Sequence, residues 1–150
     1  MDCKITTRSI NDTMELAQNI EAEKFPGMII CLDGELGSGK TVFVKGFAEA
    51  LQVDENITSP TFNIVKEYST GEIPLYHMDV YRLENDDRSI DFEKYFNSDG
   101  VSIIEWSELI EDILPEERLD IKFKVIDENI RVIKLIPHGS RYEDIVNYIS

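Results

Sequence analysis

The chain reads as one α/β domain: a mixed, partly antiparallel sheet with helices on both faces. Three observations carry that reading. Gly34-Glu35-Leu36-Gly37-Ser38-Gly39-Lys40-Thr41 has two glycines five apart, then lysine and threonine, and lies between the apolar run Met28-Ile29-Ile30-Cys31-Leu32 and a helically spaced segment, 42–51. Strand, glycine loop and helix in that order make a single-domain P-loop NTPase the expected architecture. Two pairs of alternating segments read as hairpins, so the sheet cannot be all parallel. Finally, 150 residues at 42% hydrophobic content fill one core and not two, so no domain boundary is placed within 1–150.

Residues 3–6 read as a short first strand. Ile10, Met14, Ala17 and Ile20 then recur at helical spacing, with Ser9 as cap, Asp12 three residues later, and an end expected near Phe25-Pro26-Gly27. After the loop helix, Thr58-Ser59-Pro60-Thr61 breaks structure, and segments 62–68 and 73–80 flank Ser69-Thr70-Gly71-Glu72 as a hairpin. Residues 91–96 form a short helix candidate, 101–104 a buried strand, and 108–114 a helix stopped by Pro115. Segments 119–126 and 130–136 make a second hairpin around Asp127-Glu128-Asn129, and 141–149 closes the chain as a helix. There is no repeat, low-complexity tract or linker.

The glycine loop defines the first half of a candidate site. Backbone N–H groups wrap an anion closely only where no Cβ intervenes, and the following helix N-terminus adds a favourable dipole. The phosphate-binding set is therefore Glu35, Leu36, Gly37, Ser38, Gly39, Lys40, Thr41 and Val42, with Lys40 reaching the β- and γ-phosphates and the Thr41 hydroxyl on Mg²⁺. In open α/β sheets the ligand sits beyond the carboxyl ends of the strands, which directs attention to His77-Met78-Asp79-Val80-Tyr81-Arg82-Leu83 and to Ile103-Ile104-Glu105-Trp106. Asp79 and Glu105 there offer carboxylates to orient an attacking water and to hold metal-bound water, or else cap a helix or pair with Arg82. Glu105 stands where aspartate is usual.

Other residues carry two readings each. His77 orients Asp79, ligates, or is a hydrogen-bonded structural histidine. Trp106 stacks on a partner or ligand, or anchors core, and Tyr81 and Phe62 lean toward packing. Thr61 contacts a phosphate or closes its own turn after Pro60. Arg82 stabilises transition-state charge or forms a salt bridge.

Taken together, Gly34 to Thr41, Ser59-Pro60-Thr61-Phe62, His77-x-Asp79-x-Tyr81-Arg82-Leu83 and Glu105-Trp106, in this order and spacing, resemble the bacterial TsaE family across nearly the whole chain. The resemblance implies a P-loop ATPase needed for threonylcarbamoyladenosine in tRNA, working with TsaB and TsaD, with carbamoyl transfer belonging to TsaD. It also implies Thr41 and Glu105 on Mg²⁺, Asp79 assisting hydrolysis, residues 59–62 responding to nucleotide, and the backbone near Ile10 approaching adenine. Glutamate in the second Walker position is likewise a trait of that family.

Composition narrows the alternatives. Thirty acidic against fifteen basic residues give a net charge of −15, which repels nucleic-acid phosphates, so tRNA is expected to be met only through a complex. The acidic excess near 84–91 and 105–120 is either a solvated face or a docking surface for a basic partner. No run reaches a membrane span, the first residues lack the apolar centre of a signal peptide, and Cys3 and Cys31 have no paired spacing, so a cytoplasmic protein with reduced thiols is expected. ATP is preferred to GTP because no guanine-reading tetrapeptide occurs. Two rivals to the ATPase remain: a nucleotide-dependent switch without catalysis, and a small-molecule kinase, for which the six scattered arginines supply no lid.

Overall fold

The computed structural model describes residues 2–58, 64–81 and 91–150, and it has a seven-stranded sheet in the order β1-β7-β6-β2-β5-β4-β3. The strands are β1 (Cys3–Thr7), β2 (Ile29–Asp33), β3 (Val65–Tyr68), β4 (Leu75–Asp79), β5 (Val101–Glu105), β6 (Arg118–Val125) and β7 (Arg131–His138). The helices are α1 (Ile10–Glu21), α2 (Lys40–Ala50), α3 (Phe92–Phe96) and α4 (Ser140–Ile149), with a 3₁₀ segment at Ser107–Ile113. The single-domain α/β reading with a mixed sheet holds.

Sequence pattern explains the layout. All five residues of β2 are buried, as a central strand covered on both faces requires. β2 pairs in parallel with β5 and β6, and β5 in parallel with β4. The hairpin β6–β7 and strand β1 close one side in antiparallel fashion, and β3 closes the other. In β6, Leu119, Ile121 and Phe123 turn inward while Asp120, Lys122 and Lys124 alternate with them.

The two faces are covered unequally. On one, Leu16, Ala17 and Ile20 of α1, Phe43, Val44, Phe47 and Ala48 of α2, and Ile145 and Val146 of α4 pack with Ile30, Leu32, Ile103, Leu119 and Ile121. On the other, Ile29, Cys31, Met78 and Ile104 meet Phe92 of α3 and Ile110 of the 3₁₀ segment. Burying a side chain such as Phe43 or Ile30 stabilises by about 1.5–3 kcal/mol, so the larger cluster supplies most of the driving force. Cys31 is buried in the sheet, its thiol pushed well up by burial, and Cys3 does not pair with it.

Three expectations shift. α1 stops at Glu21 instead of near Phe25, because the next N–H groups make tighter turns: Glu23 donates to the Ile20 carbonyl and Lys24 to that of Glu21. Phe25-Pro26-Gly27 leads into β2, with Phe25 set edge-on to Tyr142 at 5.4 Å. The segment read as a helix over 108–114 is 3₁₀, bent at Ile110 (φ −125°, ψ 28°). It opens in an i→i+3 turn, the Leu109 N–H donating to the carbonyl of the left-handed Trp106 at 3.1 Å. Finally, β3 starts at Val65; the part of its expected strand at 62–63 lies outside the described residues.

Gly46 marks where α1 and α2 touch, since a Cβ there would stand 2.8 Å from Met14 Cα and 2.9 Å from its carbonyl oxygen. Gly46→Ala should therefore destabilise by about 1–3 kcal/mol, outweighing the ~1 kcal/mol of helix propensity gained. A lowered urea midpoint checks it; an unchanged or raised one contradicts so close an approach of the two helices.

Candidate nucleotide site

The strand order reverses direction at β2, which has β5 on one side and β6 on the other, so the loop leaving β2 opens at a topological switch point. That loop is the glycine-rich octapeptide. Gly39 caps α2 with φ +113°, a conformation costly for any residue with a Cβ, and it lets the chain turn sharply enough for Lys40 to open the helix. Ser38 is wholly buried, and its Oγ has no partner among the described residues. A buried hydroxyl without a partner is costly in a closed structure and is met by a ligand oxygen in a phosphate loop.

Lys40 is only 4% exposed. Its Nζ donates to the Gly34 carbonyl at 2.5 Å and lies 3.5 Å from the centre of the Trp106 ring. Burial holds its ammonium below the usual range, against the opposing pull of Glu105, Asp79, Asp33 and Glu108. The parallel register sets Asp79 beside Glu105 and Glu105 beside Leu32, aligning the carboxyl ends of β4, β5 and β2. Glu105 is buried and bonded to His77 Nε2 at 2.5 Å. Asp79 accepts from the Tyr81 N–H at 3.0 Å, yet burial raises its carboxyl above the ordinary value, with Glu105 adding to the rise.

Trp106 has a left-handed backbone (φ 62°), an outlier for so bulky a residue and a strain of about 1–3 kcal/mol. Asp33 holds the turn that follows: it accepts from Ser107 Oγ at 2.5 Å and from the Glu108 N–H at 3.1 Å. The exposed Tyr81 ring lies 4.8 Å from that of Trp106. Trp106 is thus neither plain core nor free surface; it covers the lysine.

Beside the loop lies a pocket of about 190 Å³, bordered by Ile10, Thr13, Gly37, Ser38, Gly39 and Val42, with the turn of the β6–β7 hairpin completing its rim. Arg131 braces this side. Its guanidinium donates to the carbonyls of Ser38 (3.2 Å), Gly37 (3.4 Å), Asp127 (2.7 Å), Glu128 (3.1 Å) and Ile130 (3.2 Å), all of them backbone acceptors.

Of the residues singled out from sequence, Lys40, Asp79, Glu105, His77, Trp106 and Tyr81 gather on one side of the loop, and Ile10, Gly37, Ser38, Gly39 and Val42 on the pocket side. Thr41 follows Lys40 in the first turn of α2. Glu35 and Leu36 are exposed at the loop tip, Leu36 by 90%, with the Glu35 carbonyl accepting from the Ser38 N–H at 3.1 Å. Ser59, Thr61, Phe62 and Arg82 lie outside the described residues. Sequence reasoning missed Asp33, Thr13 and Arg131. Asp33 could have been found as a polar residue closing a strand directly before the loop; Arg131 carried only its place beside a hairpin turn.

Comparison with known proteins finds a family model, relatives and a solved structure that match most of the chain. A family model described as "Threonylcarbamoyl adenosine biosynthesis protein TsaE" matches residues 7–133. The chain is 43% identical over 95% of its length to the tRNA threonylcarbamoyladenosine biosynthesis protein TsaE of Bacillus subtilis, covering 92% of that protein. It is 38% identical over 87% of its length to the namesake of Treponema pallidum, covering 97% of it. The crystal structure of Bacillus subtilis YdiB superposes with a TM-score of 0.84 at 40% identity, over 99% of this chain and 94% of that one.

A carboxyl raised on folding binds its proton more tightly in the native state, so Asp79 costs stability as pH rises above the usual carboxyl range. Without divalent cation, Asp79→Asn should raise the urea midpoint at pH 7, with the gain shrinking toward acid pH. A midpoint that falls at pH 7 would show Asp79 to be structural.

Proposed function

The chain belongs to the TsaE family, and on that premise we propose that it binds ATP with Mg²⁺, hydrolyses it slowly, and supports the TsaB–TsaD pair in making threonylcarbamoyladenosine on tRNA. The observation that carries the ATPase part is Lys40, buried at the first turn of α2 beside two carboxylates at adjacent strand ends.

The residues present fit the group. The orphaned Ser38 hydroxyl, the cation at the helix start and the pocket beside Ile10 suit phosphates and a base. Among the described residues no cluster of three or more His, Cys, Asp or Glu forms a metal cage. Mg²⁺ in phosphate sites typically takes one or two protein ligands plus phosphate oxygens and water, and Thr41 and Glu105 supply such a pair. Bound there, Mg²⁺ would neutralise charge developing on the phosphates.

Lys40 has to exchange the Gly34 carbonyl and the Trp106 ring for phosphate oxygens, which ties nucleotide arrival to the position of Trp106. Asp79, held by the Tyr81 N–H and kept basic by burial, is placed to accept a hydrogen bond from the attacking water. Arg131 keeps the loop and the hairpin rim together through backbone carbonyls on both. With no described arginine at the transition state, turnover by the chain alone is slow and its partners accelerate or use the cycle. Among the described residues, no helix is long and apolar enough to cross a membrane.

Calorimetry with a slowly hydrolysed analogue, paired with single-turnover phosphate release, tests the division of roles. Lys40→Ala should lose affinity by about ten- to a hundredfold, as loss of a charged hydrogen bond implies. Asp79→Ala should keep affinity within about threefold while slowing release by about 10²-fold or more. Equal loss of affinity in both rejects the assignment, and rapid hydrolysis indifferent to TsaB and TsaD rejects the coupling.

A further inference from the structure

We propose that His77 is a positioning residue for Glu105, fixing one oxygen of that carboxylate at the floor of the site so that the other is presented to the metal. The proposal rests on the Mg²⁺–ATP reading above and deepens it.

The geometry is specific. His77 is fully buried on β4, and its Nε2 lies 2.5 Å from Glu105 Oε2. A carboxylate oxygen only accepts, so the ring hydrogen is assigned to Nε2. The other nitrogen, Nδ1, is buried with no partner among the described residues. Among the described residues the ring makes one hydrogen bond, and that bond goes to the acid.

Register explains why Glu105 needs the constraint. Asp79 and Glu105 are neighbours across parallel strands, so their like charges repel and the longer side chain can swing away. His77 precedes Asp79 by two residues and therefore shares its face of β4, one step deeper into the sheet. Its N–H draws one Glu105 oxygen down and away from Asp79. The same geometry accounts for glutamate where aspartate was expected: a side chain shorter by one methylene cannot both reach back to His77 and keep an oxygen in the site. Partners that orient a ligating carboxylate typically change metal affinity or activity by about ten- to a hundredfold when removed.

The test uses the full chain with His77→Leu and His77→Asn, which place no donor within reach of Oε2, and His77→Gln, which restores one. Binding of a fluorescent ATP analogue is measured in EDTA and across a Mg²⁺ titration, alongside single-turnover phosphate release. The donorless variants should keep EDTA affinity within about twofold while their Mg²⁺ requirement rises or their release slows by about ten- to a hundredfold, and His77→Gln should stay within about threefold of wild type. A second readout is independent of activity. With only two histidines in the chain and His138→Gln for assignment, ¹⁵N-histidine spectra should show a protected, downfield His77 Nε2–H that disappears in Glu105→Ala. If His77→Leu does not fold, His77→Asn and the wild-type spectrum decide. Folded donorless variants with wild-type Mg²⁺ dependence, a His77→Gln as impaired as His77→Leu, or the absence of that N–H signal would each overturn the proposal alone. A wild-type chain that takes up no Mg²⁺-nucleotide overturns the functional reading and the proposal with it.

Discussion

A buried ammonium is the constraint around which this molecule is organised. Lys40 is removed from water at the start of α2, where the helix dipole disfavours a cation, and burial weakens its hold on its proton. The fold offsets this with a carbonyl, an aromatic face and carboxylates gathered from three strand ends. Each of those partners is replaceable by phosphate oxygens. The lysine is therefore held in a manner suited to release, which a purely structural cation would not require.

The rest of the scaffold serves the two sides of that residue. On one side, β4 and β5 lie in register so that Asp79 and Glu105 share a row, and Asp33 closes β2 by fastening the turn after Trp106. On the other, Arg131 ties the glycine loop to the β6–β7 hairpin and shapes the pocket beside Ile10. Tight packing of α1 on α2 at Gly46 carries Ile10 and Thr13 to that pocket. Substitutions far from Lys40 can thus disturb the loop through either brace.

Much of this was legible from residues alone. The octapeptide, its flanking strand and helix, the Ser9 cap and the two hairpins follow from periodicity and turn chemistry, and the strand-end rule led to Asp79 and Glu105. The contacts that distinguish the site were not legible. Trp106 over Lys40 depends on a left-handed residue that no propensity predicts, and the 3₁₀ geometry after it depends on Asp33, 74 positions away from Ser107. Arg131 reaches Ser38 across 93 positions by virtue of sheet order alone. Local signals place elements; long-range pairing decides which side chains meet.

Trp106 is the chain's single tryptophan and lies against the cation that the proposed nucleotide would displace. Its emission, followed as Mg²⁺–ATP is titrated into the protein, tests the central claim most directly. A saturable change at one nucleotide per chain, absent in Lys40→Ala, is the expected result. Emission that stays constant through the titration, with no heat of binding in parallel calorimetry, would contradict it.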